Sequence, residues 1–120
     1  MDIQVNTYFC ILEVETGKNK MRAASYLTAE QNSIVITTKG EWWWIHGISM
    51  NKSINFDISG IDTTSKNFVI DETEFRIERK NSTEIHIEMA KNQTGAERVL
   101  YIGLEAGDYF DGIKITQSAN

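Results

Sequence analysis

The chain has 120 residues, 41% of them hydrophobic and 24% charged, with a formal net charge of -5. That length supports one domain with its own core, and the apolar content is too high for a disordered segment. The acidic balance argues against a nucleic-acid partner, because phosphate binding needs a concentrated positive face. The longest apolar run falls far short of the roughly 20 residues that cross a bilayer, so no membrane insertion is expected.

Residues 1–4 show no basic and apolar regions of a secretory leader. Residues 8–14 read as the first strand, closed by the polar stretch 15–20. The segment 21–29 follows as a strand, with a short helix left open by its Ala23-Ala24 pair. Residues 33–38 are rich in β-branched side chains and run through Lys39-Gly40 into Trp42-Trp43-Trp44. In 53–59, Ile54, Phe56 and Ile58 alternate with Asn55 and Asp57. Segments 67–70, 74–79, 83–90, 97–105 and 109–117 complete the set. Alternation is clearest where Ile85, Ile87 and Met89 oppose Glu84, His86 and Glu88, and again through Leu100, Ile102, Leu104, Ile113 and Ile115. Period two marks strands with one face in a core and one in water. Lys80-Asn81-Ser82, Lys91-Asn92-Gln93-Thr94-Gly95 and Ala106-Gly107-Asp108 carry turn chemistry. Short strands at this spacing predict a sandwich or a barrel.

The remaining composition is informative mainly by what it withholds. The single cysteine, Cys10, lies in an apolar run and reads as a small buried hydrophobe rather than a nucleophile. With no proline in the chain, protection of sheet edges falls to charge, for which Glu74, Arg76, Glu78 and Lys80 are candidates. Arg76, Arg79 and Lys80, interleaved with Glu74 and Glu78, read as a solvated strand face. There is no Gly-rich phosphate loop, no Gly-x-Ser-x-Gly and no Cys/His metal spacing. The acidic residues sit mostly on the polar parity of strands, so paired-carboxylate catalysis is not expected either. Asp108 and Asp111 lack the alternating oxygens of a calcium loop. The expectation is a chain that is not an enzyme and holds no metal or cofactor.

Two places suggest recognition. Strand alternation puts Trp42 and Trp44 on the core or rim side and leaves Trp43 outward; the alternative packs Trp43 beneath 46–73. An outward Trp43, with His46 beside it to add a hydrogen bond, would be a sugar-stacking ring. Tyr109 and Phe110, framed by Asp108, Asp111 and two glycines, form the second candidate, as a sugar platform or a protein-docking knob. A glycan platform calls for a coplanar pair of exposed rings, and a spacer for shielded tryptophans.

The C-terminal part carries a pattern of its own. The strand Ile85-His86-Ile87-Glu88-Met89 leads to Asn92-Gln93-Thr94, then to Arg98 opening Val99-Leu100-Tyr101-Ile102. A last strand, Gly112-Ile113-Lys114-Ile115-Thr116-Gln117, ends in Gln. Upstream, Ile34-Val35-Ile36-Thr37-Thr38 runs through a small turn to Trp42. This resembles the BACON domain family over roughly half the chain, although 46–73 is longer and more strand-like than the loop usual there. The resemblance implies an all-β, immunoglobulin-like β-sandwich of about 7–9 antiparallel strands, with residues 1–120 as a single domain. It also implies a module of a larger surface, secreted or phage structural protein of Bacteroidetes-type bacteria, placed outside the cell, on its surface or on a virion. The function it implies is a non-catalytic binding or adhesion module for mucin or other glycans. The alternative is a structural spacer or a domain that contacts a host or cell-surface protein. Other domains of the parent protein would be partners in either case. The residues that would carry a ligand are Trp43, His46, Tyr109 and Phe110.

Overall fold

The computed structural model describes residues 3–6, 13–14, 23–38, 40–107 and 109–120, with the side chains of 3–6, 13–14, 23, 109 and 111 outside the described set. Most of the expected strand 8–14, Cys10 and Asp108 lie outside the described residues.

The described residues are all-β, in two sheets packed as a sandwich. The strands are β1 (Ile3–Asn6), β2 (Glu13–Val14), β3 (Ala23–Leu27), β4 (Asn32–Thr38), β5 (Trp44–Met50) and β6 (Ile54–Asn55). They continue as β7 (Phe68–Asp71), β8 (Phe75–Lys80), β9 (Glu84–Met89), β10 (Arg98–Ala106) and β11 (Tyr109–Gln117). One sheet runs β1-β4-β9-β8-β7 and the other β2-β3-β11-β10-β5-β6. The chain thus opens in one sheet and crosses to the other, where β3 pairs parallel with β11; the other described pairings are antiparallel. Crossing at β1–β2, β3–β4, β4–β5, β6–β7 and β9–β10 gives the Greek-key wiring of an immunoglobulin-like sandwich.

Period two does what the sequence requires. Ile34 and Ile36 of β4, Ile77 of β8, and Ile85, Ile87 and Met89 of β9 face inward and are fully or almost fully buried. They meet Ile45, Ile48 and Met50 of β5, Leu100, Ile102 and Leu104 of β10, and Ile113 and Ile115 of β11. Each such side chain contributes about 1.5–3 kcal/mol by leaving water.

Three expectations need correction. Residues 44–50, expected only as part of a long segment after the tryptophans, form a full strand, β5, at the centre of its sheet. The strand expected at 53–59 shrinks to Ile54–Asn55. Beyond it Phe56 folds down edge-on against Phe75, with centroids 4.8 Å apart. Asp57 and Asp62 accept the amides of Ser59 and Thr64, bending the chain into turns. The Glu74–Lys80 ladder protects no edge, because β8 lies between β9 and β7. The hairpin turns follow their residues: Asn81 and Ser82 take φ of 52° and 60°, and Gly107 takes 62°. Asn51 and Lys52 do the same between β5 and β6, at 54° and 62°.

Candidate functional site

The tryptophan run breaks the expected alternation. β5 begins at Trp44, and the Trp43 amide donates to the Glu41 carbonyl at 3.1 Å, closing a three-residue turn with Trp42 at its apex. Trp42 is therefore 88% exposed and Trp43 only 2%. This corrects the reading of Trp43 as an outward ring: its face is covered by the Arg79 guanidinium, 3.5 Å from the ring centroid. Its Nε1 donates to Thr38 Oγ1 at 3.0 Å and to the Gly40 carbonyl at 3.1 Å.

Arg79 is a second correction, since it is 1% exposed rather than part of a solvated face. The signal was present: residue 79 shares the inward parity of Phe75 and Ile77. Its guanidinium donates to the carbonyls of Ser82, Trp43, Glu41 and Ser65. Burial pulls its pKa below the ordinary arginine value, and the charge of Glu41 opposes that shift. Glu41 itself accepts from Ser82 Oγ at 2.6 Å and faces Lys66 Nζ at 3.5 Å. The Ser82 hydrogen bond first, and Lys66 second, hold its carboxyl below the usual range.

The Asn-Thr turn, Arg98 and Gln117 converge in another buried knot. Arg98 Nε donates to Gln117 Oε1 at 2.8 Å, and its Nη2 to the Ala90 carbonyl at 2.6 Å. Gln117 Nε2 donates to the carbonyls of Glu30 and Ala90. Asn92, fully buried, donates to the carbonyls of Ala96 and Ser118 and accepts from the Thr94 amide. These polar side chains satisfy the backbone where β9 crosses to β10 and where β11 ends, so their role is structural.

The surface best formed for recognition is the outer face of the six-stranded sheet. Gly47, Gly103 and Gly112 stand side by side across β5, β10 and β11. Of the three, Gly103 is covered by the His46 ring and Gly112 is buried, so open backbone is left at Gly47. On one side stands the row Trp44, Glu105 and Phe110; on the other, Ser49, Tyr101 and Lys114. A groove of about 250 Å³ opens between His46, Ser49, Asn55 and Tyr101, above Gly47 and Gly103.

His46 enters this groove because of a bulge. Gly47 pairs with Gly103 but Ile45 with Leu104, so His46 is the extra residue of β5. Bulges re-aim a side chain. Here the imidazole lies over Gly103, where a Cβ would sit 2.5 Å from His46 Nε2. Its ring meets Phe110 edge-on, with centroids 5.5 Å apart at 87°.

The structure thus brings two of the four candidate residues, His46 and Phe110, into one place. They form a wall rather than a coplanar platform. Trp43 is taken into the core. Tyr109 begins β11, with its backbone opposite Ala106 and its side chain outside the described set. Sequence reading missed Trp44, Tyr101 and the glycine row, because the glycines come into register only when β5, β10 and β11 pair. The glycines were visible singly, with no sequence signal that they would align.

No family model matches the chain, and no curated protein matches it. Its structure is similar to the NMR structure of a protein from Bacteroides thetaiotaomicron, with a TM-score of 0.63 and 18% sequence identity. The match covers 100% of this chain and 89% of that one. At such identity the likeness bears on the fold, a two-sheet β-sandwich.

Proposed function

We propose that the chain is a non-catalytic recognition module that binds glycans along the glycine-floored trough of its outer sheet. The observation that carries this reading is the bulge-delivered His46 ring above Gly103 and against Phe110. Open backbone at Gly47, beside the imidazole that covers Gly103, lets a flat ring approach closely, and aromatic side chains offer the apolar surface that the C–H faces of a pyranose need. Phe110 is 39% exposed opposite Glu105, and Tyr101, Ser49 and Asn55 line the groove with polar groups for sugar hydroxyls. The order Asn92-Thr94, Arg98, Gln117, knotted at the crossing, supports a BACON-like module. A pure spacer has no use for an 88% exposed tryptophan, which weighs against that alternative.

Isothermal titration with released mucin O-glycans, cellohexaose, xylohexaose and mannohexaose tests the proposal. Binding by at least one probe, lost in Phe110→Ala and His46→Ala with the fold intact, is the expected result. Binding that both variants retain, or no binding by any probe, overturns it.

A further inference from the structure

We propose that Trp42 is a second sugar-stacking contact, mounted by Arg79 at the loop end of the trough. The proposal rests on the glycan reading for its ligand class, but on separate residues.

The geometry is that of a mount. Trp42 is the apex of the turn closed by the Trp43 amide on the Glu41 carbonyl. The carbonyls on both sides of it, of Glu41 and Trp43, each accept from Arg79 at 2.7 Å. Arg79 is in turn held by the Ser82 carbonyl at 2.8 Å and stacked on Trp43. The backbone at Trp42 is therefore fixed from beneath while its indole stands 88% in water. An indole held in water on so fixed a backbone offers its flat face to a ligand without a cost for ordering the chain beneath it.

The surroundings specify the ligand. The other exposed large hydrophobics among the described residues are Tyr26, Ile54, Val69 and Phe110, none of them in the Trp42 turn or the Asn81-Ser82 turn beside it. A protein anchor sits within an apolar patch that excludes water. Trp42 instead follows Glu41, whose carboxylate faces Lys66, with side chains 52% and 61% exposed. An isolated indole next in the chain to a carboxylate–ammonium pair fits a sugar ring, apolar on its faces and hydroxylated at its edge. Two residues span at most about 7 Å between their Cα atoms, so the backbone of Trp42 lies close to that of Trp44, which opens β5.

The test uses the full chain labelled with 5-fluorotryptophan, its Trp42 resonance assigned from Trp42→Phe. The chain is titrated with the same mucin O-glycans and hexaoses. The Trp42 resonance is expected to shift, and Trp42→Ala to bind about tenfold more weakly. An unmoved resonance with full affinity in Trp42→Ala overturns the proposal, and loss in Phe110→Ala would then leave the trough reading standing. Loss in Trp42→Ala with Phe110→Ala unaffected keeps Trp42 and removes the trough. No binding by any probe overturns both, and a resonance that moves with protein concentration alone assigns the ring to a second copy and overturns the sugar assignment. For the mount, the Trp42 amide is expected to show the same ¹⁵N relaxation as β5, and Arg79→Lys to mobilise it with the sheet intact. A mobile Trp42 amide in the wild-type chain overturns the mounting role whether or not that variant folds.

Discussion

Arg79 and Trp43 are stacked, guanidinium on indole, at 3.5 Å in the interior of the sandwich. The pair joins β8 to the turn that precedes β5, two segments 36 residues apart in the chain. A buried cation is tolerated there because backbone carbonyls and an aromatic face replace its water.

Replacing Arg79 by Met should therefore cost on the order of 3 kcal/mol of stability, since the carbonyls of Trp43 and Ser82 lose the guanidinium and that of Glu41 keeps only the Trp43 amide. Urea denaturation measures this directly. A loss under about 1 kcal/mol would show that water replaces the guanidinium at little cost.

Gln117→Leu should be destabilising by about 2–3 kcal/mol, for it unpairs Arg98 Nε and takes one donor each from the Glu30 and Ala90 carbonyls. Arg98→Leu combined with it should cost less than the sum of the two single changes, because one network is removed only once. Strict additivity in thermal unfolding would show that the two side chains act independently.

Gly103→Ala should drive the His46 ring off the trough floor, since the new methyl lies 2.5 Å from His46 Nε2. We expect a cost of about 1–2 kcal/mol and loss of glycan binding. Stability, but not binding, should return in the double variant with His46→Ala. Wild-type stability in Gly103→Ala would mean that the ring swings aside freely.

The pH dependence has a definite sign. Glu41 is held below the ordinary glutamate value of 4.5, so what it adds to stability is present above that value and is lost as pH falls below it. Asp57 and Asp62, depressed by their hydrogen bonds to Ser59 and Thr64, add to the same acid loss. Glu41→Gln should show a smaller fall in Tm than wild type between about pH 6 and about pH 3. An equal fall would remove Glu41 from the account.

Legibility in the sequence follows the physical range of each signal. The inward parities of β9, β10 and β11 were plain because alternation is local, and Asn-Ser and Gly-Asp turns carry their own conformational preference. The tryptophan run failed because alternation was extended through residues that form a turn, and nothing local marks where β5 begins. Arg79 was read by its charge, although its parity with Phe75 and Ile77 pointed inward. His46 and Phe110 were picked out singly, 64 positions apart, and their contact needed the β5–β10–β11 pairing.

By itself, then, the sequence determined an all-β chain with apolar strand faces and hairpin turns, because steric alternation and backbone preference act over a few residues. Only the tertiary structure decided which tryptophan meets water, that three glycines stand in one row, and that a bulge turns His46 onto it. Those outcomes depend on register between distant strands, and a shift of one residue would send each side chain to the opposite face.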